Sequence, residues 1–80
     1  MTTRDDLQQW IVDALTAIGG SGSIVDVCSG IWQVHEADLR LAGDLFYTWQ
    51  YDVRWAAQKL RDQGVLQAVN NSKTHPWKLK

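Results

Sequence analysis

Residues 49–66, WQYDVRWAAQKLRDQGVL, constrain this chain more than any other stretch. At about 100° per residue, Trp49, Val53, Ala56, Ala57 and Leu60 collect on one side of a helix, while Tyr51, Arg54, Trp55, Gln58 and Asp62 collect on the other. The first face is a core. The second carries hydrogen-bond donors and large rings where a plain solvated helix carries Lys and Glu, which suits a helix that reads another molecule. Gly64 is expected to end the helix, and Val65-Leu66 to run directly into a strand.

Eighty residues make one domain, taken here as 1–80, near the lower end of what one hydrophobic core supports without disulfides or metal. Five Trp residues help, because each large aromatic side chain buries roughly 150–250 Å². The lone cysteine, Cys28, cannot form an internal disulfide and calls for no oxidising compartment, so a cytoplasmic location is expected. The polar start MTTRDDLQQW has no apolar signal core, and no run approaches the ~20 apolar residues of a membrane span. No membrane partner is expected.

The net charge of −1 hides an asymmetry. Residues 1–40 hold two bases against six acids, giving −4, whereas residues 41–80 hold six bases against three acids, giving +3. A locally basic face matters more to phosphate binding than the total.

Taken in order, Thr2 or Thr3 is expected to cap a first helix, with Asp5 and Asp6 facing the positive end of its dipole. Leu7, Trp10, Ile11, Ala14, Leu15 and Ile18 recur at helical steps until Gly19-Gly20 stops them. The segment Gly20-Ser21-Gly22-Ser23 reads as a turn or short edge strand, and Ser23 with Asp26 as a capping arrangement. A second helix from Ile24 to about Val34 follows, with Ile24, Val27, Cys28 and Ile31 on one face. Gly30 inside it marks either close packing or an early end. A short helical piece from His35 to Gly43 then uses Leu39 and Leu41 as apolar contacts. Residues 44–48 form an aromatic connector in which Phe46 is buried and Thr48 caps the central helix. Residues 65–69 and 77–80 read as two strands around the turn-rich segment 70–76, making a β-hairpin with a partly basic tip.

Helix, strand, helix, helix and hairpin in that order is an α+β arrangement, the winged helix-turn-helix: three main helices plus a C-terminal β-hairpin. In helix-turn-helix proteins the later helix enters the major groove.

Several of these pieces also resemble a known family. Gly19 to Ile24 (GGSGSI), Glu36-Ala37-Asp38-Leu39, Val53-Arg54-Trp55-Ala56 with Leu60, Gly64-Val65-Leu66 and Trp77-Lys78-Leu79, in this order and spacing, look like the N-terminal winged-helix domain of Mrr-type restriction-system proteins. The resemblance covers the chain from about residue 7 onward. It implies a DNA-binding module of the kind joined to a separate nuclease; the nuclease has no counterpart in these residues, so no cleavage activity is implied. Asp52 stands where that family often has a basic residue, and the tip 70–76 is longer than a short glycine turn. The family also implies a structural use of Trp55, packed against the hairpin.

Nothing in the sequence suggests an enzyme. His35, His75 and Cys28 have no zinc spacing and no activated-nucleophile pattern, and GGSGS lacks the following Lys-Ser/Thr of a phosphate-cradling loop. No cofactor and no metal is expected. The expected partner is double-stranded DNA. Thr48, Gln50, Tyr51, Arg54 and Gln58 are candidates on the central helix, since Arg pairs bidentately with guanine and Gln with adenine. Lys59, Arg61, Lys73 and Lys78 are candidates for phosphate contacts. Two alternatives stay open: an ordinary solvated helix face, with Asp52 and Asp62 beside the bases, and a homodimer or protein-partner surface built on Tyr51 and Trp55.

Overall fold

Three helices carry most of the regular structure in residues 2–67 and 77–80, which the computed structural model describes. They are α1 (Asp6–Ala17), α2 (Ile24–Arg40) and α3 (Leu45–Asp62), with short strands β1 (Ser21–Gly22) and β2 (Trp77–Lys78). The strands form a two-stranded antiparallel sheet in which Ser21 pairs with Lys78 and Gly22 with Trp77. This arrangement is compatible with a winged helix.

The core is the set of apolar positions that helical periodicity selects. Leu7, Ile11 and Leu15 from α1, Val27, Ile31 and Leu39 from α2, and Trp49, Val53, Ala56, Ala57 and Leu60 from α3 form one buried cluster with Leu45 and Leu66. All five residues expected on the core face of the central helix are therefore inside. Gly30 does mark a close approach and not an end: a Cβ placed there would lie 3.4 Å from the Ala14 methyl of α1.

Local signals set the helix ends. Ser23 Oγ accepts from the Asp26 amide at 3.1 Å, and the Asp26 carboxylate accepts from the Ser23 amide at 3.1 Å. This reciprocal capping box satisfies two donors that the first turn leaves orphaned. At the other ends, α1 and α3 close in the same way. The Gly20 amide donates to Leu15 O and the Gly19 amide to Thr16 O; the Val65 amide donates to Leu60 O and the Gly64 amide to Arg61 O. These are Schellman closures, which require a left-handed residue just past the helix. Gly19 (φ 95°) and Gly64 (φ 79°) supply it.

After Gly64 the chain meets the C-terminal residues. Leu66 bridges Leu79 in antiparallel register, the Gln67 amide donates to Lys78 O, and the Lys80 amide donates to Val65 O. Because the Leu79 amide also donates to Gly20 O, the chain end lies between β1 and the segment after α3. The base of the expected hairpin is thus present, and residues 68–76, including its tip, lie outside the described residues.

Four expectations need correction. No Thr side chain caps α1; the Asp6 carboxylate instead accepts from the Thr3 amide at 3.0 Å. The second and third helical pieces are one helix with a kink, centred on non-helical His35 (φ −116°, ψ 17°). The His35 ring stacks on Trp10 of α1, with centroids 3.7 Å apart, and its Nδ1 lies 3.1 Å from the Asp38 carboxylate, so contact with α1 accompanies the local break. Leu41 is 85% exposed, leaving Leu39 as that segment's core contact. The connector 44–48 does not exist as such, since α3 begins at Leu45. Thr48 lies inside the helix, where its hydroxyl donates to Asp52 at 2.8 Å, and Phe46 is half-buried against Trp32.

Ile11→Ala, at a fully buried position, should cost ~2–5 kcal/mol of unfolding free energy. Ser23→Ala should cost about 1 kcal/mol. Chemical denaturation followed by circular dichroism measures both.

Candidate nucleic-acid interface

The solvent side of α3 divides into a crest and two flanks. Tyr47, Tyr51 and Gln58 run along the crest, opposite the buried face, and Tyr47 (83%) and Tyr51 (78%) are among the most exposed large side chains. Gln50 and Arg54 occupy the flank beside α2, and Thr48 and Lys59 the flank beside α1. Thr48 and Gln50 are thus about 160° apart around the axis at 100° per residue. Thr48 therefore stands apart from Gln50, whereas Gln50, Arg54, Gln58 and Tyr51 fall within about 100° of one another around the axis.

Tyr47 was missed by sequence reading, because treating Thr48 as a cap left Tyr47 in a loop. The signal was available: Leu45 and Trp49 continue the apolar spacing of Val53 backwards by four residues each, and both are buried.

Two of the candidate readers are engaged locally. Thr48 bonds to Asp52, and the Gln58 amide donates to the Asp62 carboxylate at 3.0 Å. Each pairing brings an anion up to the solvent side. Arg54 differs, being exposed and forming no ion pair among the described residues.

Trp55 is not an outward-facing ring. It is half-buried, with the Arg4 guanidinium 4.2 Å above its centroid and the Lys59 ammonium 5.7 Å away. Such cation–π contacts contribute about 0.5–1 kcal/mol at exposed sites. Within the described residues its cationic neighbours come from the N-terminal segment and from α3 itself, whereas the hairpin's Trp77 faces Arg61 at 5.7 Å. Arg61 is half-buried, and its Nε is buried without a hydrogen-bond partner among the described residues. Arg61 thus stands at the hairpin base, apart from the crest. Lys78 is exposed on β2. Lys73 lies outside the described residues.

Between α2 and α3 runs an open groove of about 590 Å³. Ile24, Cys28, Trp32, Phe46 and Trp49 supply its apolar surface, and Gln50 and Arg54 its polar side on α3. The Trp32 and Trp49 rings are parallel within 8°, and Arg40 covers Trp32 and Phe46 at 5.3 and 5.8 Å. Burial pushes the Cys28 thiol up in pKa, with the nearby Arg54 charge partly offsetting that rise.

Among the described residues no cluster of three or more His, Cys, Asp or Glu side chains is arranged to hold a metal ion. No helix among them is long and apolar enough to cross a membrane. No protein-family model, curated protein or solved structure matches the chain.

The thiol chemistry gives a direct check on Arg54. Because burial disfavours the thiolate, the pH midpoint of Cys28 alkylation by iodoacetamide should lie above that of a free thiol. Arg54→Met removes the charge that favours the thiolate, so it should move that midpoint further up.

Proposed function

We propose that this chain is a winged-helix DNA-binding module, with α3 in the major groove and the hairpin beside the phosphate backbone. The observation that carries this reading is the placement of α3. One face is wholly consumed by the core, while the other stands in solvent with Gln50, Tyr51, Arg54 and Gln58 on it. Its 18 residues give a rod roughly 27 Å long, and an α-helix of about 10–12 Å diameter suits the roughly 12 Å width of a major groove.

Arg54 is the principal base-reading candidate, because its guanidinium is exposed and carries no ion pair among the described residues. Gln50 shares its flank. Gln58 and Thr48 must first exchange their Asp62 and Asp52 partners, so they rank below Arg54. Lys59 and Lys78, both exposed, are the candidates for phosphate contacts among the described residues, and the +3 balance of residues 41–80 supports a locally basic surface. Arg61, held at Trp77, serves chiefly to join α3 to the hairpin. The resemblance to Mrr-type N-terminal domains supports a role as a restriction-system accessory or regulatory protein, and makes modified DNA a substrate to test.

A second reading is favoured by one observation. Tyr47 and Tyr51 are four residues apart on one helix and both largely exposed, which is the spacing of a helix-borne partner surface. On this reading the crest joins a second copy or another protein.

Titrating a mixed-sequence duplex at increasing salt separates the two. DNA binding should weaken linearly in log–log form, because releasing counterions gains less free energy as salt rises. Arg54→Ala should cost ~1–3 kcal/mol, and Lys78→Ala should lower the salt slope by about 1. Salt-insensitive self-association, abolished by Tyr51→Ala with no DNA bound at low salt, would replace the DNA reading with the interaction reading.

A further inference from the structure

Two cations from distant parts of the chain converge on one indole ring. Arg4 precedes α1 and Lys59 lies in the last turn of α3, yet the Arg4 guanidinium is 4.2 Å and the Lys59 ammonium 5.7 Å from the Trp55 ring centre. Two charges at those distances from one point lie no more than about 10 Å apart, close to the Debye length of about 8 Å at physiological salt. Their repulsion is only partly screened. Attraction to the ring face holds both side chains there without neutralising either.

No carboxylate answers these charges. The ion pairs among the described residues are His35–Asp38 and Arg40–Glu36, so neither Arg4 nor Lys59 has an acidic oxygen within ion-pair distance. The acids near them along the chain are turned to other donors: Asp6 accepts from the Thr3 amide, Asp52 from the Thr48 hydroxyl and Asp62 from the Gln58 amide. Asp5 is exposed and pairs with neither cation. Arg40 gives the contrast. It too lies over aromatic rings, but Glu36 neutralises it at 2.8 Å. Two exposed cations gathered without an acid leave a place that an anion from outside completes.

The donors suit a phosphate group. A guanidinium presents a planar fork that matches phosphate oxygens two at a time, and Lys59 adds a point charge on a flexible stem. One phosphate has enough oxygens to accept from both. Arg4 stands in a half of the chain where charge alone would not suggest such a role, since residues 1–39 hold no other Lys or Arg. The fold carries it across to the flank of α3 beside α1.

We propose that Arg4 and Lys59, seated on Trp55, form a phosphate-binding site on the α1 side of α3. With α3 in a major groove, the phosphate is one of the DNA backbone, and the contact fixes the position of the helix without reading bases. That source rests on the DNA reading of α3; the phosphate site does not.

Two measurements test the site and identify its source. The first follows binding of a mixed-sequence duplex over a range of salt by the unaltered protein, Arg4→Gln and Arg4→Lys. Arg4→Gln should lower the salt slope by about 1 and Arg4→Lys should keep it, because counterion release counts charges. An Arg4 that merely fastened the N-terminal segment would not follow charge in this way. The second records the indole N–H signals of the labelled protein without DNA, as phosphate and separately acetate replace chloride at fixed pH and ionic strength. Phosphate should shift Trp55 saturably while Trp10, Trp32 and Trp49 stay. Arg4→Gln should abolish the shift and leave the other four indole signals in place, which shows that the variant is folded. A charge-dependent slope assigns the site to the DNA backbone. A Trp55 response that needs Arg4, with no duplex bound or with an unchanged slope, assigns it to a free phosphate ester. The inference is overturned by a slope that ignores Arg4 together with a Trp55 signal that stays still or moves as far in acetate. Duplex binding that persists in that case leaves the DNA reading standing.

Discussion

Burial of Trp49, Val53, Ala56, Ala57 and Leu60 along one side of α3 is the constraint from which the other features follow. These residues meet Leu7, Ile11 and Leu15 of α1 and Val27 and Ile31 of α2 in a single cluster. The two alanines present little side-chain bulk at the contact, and Gly30 does the same where α2 approaches Ala14 of α1. Close packing of this kind leaves no room for a shift in helix register, because each buried apolar group loses contacts if its neighbour moves. The orientation of the solvent side of α3 is therefore set from inside the molecule.

The same constraint sorts the aromatic side chains. Trp49 is buried, Trp32 stacks beside it, and Phe46 continues the layer to the surface. Trp55 and Trp77 are half-buried and draw cations, Arg4 and Arg61 respectively. Trp10 takes the His35 ring. In a chain this small such rings do much of the work of fastening the N-terminal segment, the α2 kink and the hairpin base to the three-helix core. On α3 they leave in solvent the Tyr47–Tyr51 crest, with Gln50 and Arg54 on one side and Lys59 on the other. Arg54 belongs to two surfaces, the exposed side of α3 and the rim of the α2–α3 groove.

Much of the fold was legible in the residues. The 3.6-residue period identified the core face of α3 from Trp49 to Leu60 and the buried positions of α1, because a helix that packs on one side must repeat its apolar residues at that interval. Gly19 and Gly64 marked two helix ends, and Ser23 with Asp26 marked a beginning, because those signals act through bonds only a few residues apart. The errors arose where a local signal admitted two outcomes. Thr48 had the chemistry of a cap yet sits inside α3, since Leu45 has a place in the core one turn earlier. His35 was read as a boundary between separate helices, whereas stacking on Trp10 accompanies a kink within one helix.

For the candidate site, the sequence by itself determined which residue types α3 turns away from the core, and that bases concentrate in residues 41–80. It also determined the alternation of helices and extended segments, because periodicity, caps and glycine closures are short-range properties of the chain. Only the tertiary structure decided which of those residues share a surface. It placed Arg4 over Trp55 and Arg61 at Trp77, and opened the groove beside Arg54. These are contacts between segments distant along the chain, and they depend on the angles at which buried faces pack, a quantity that no local pattern of residues encodes.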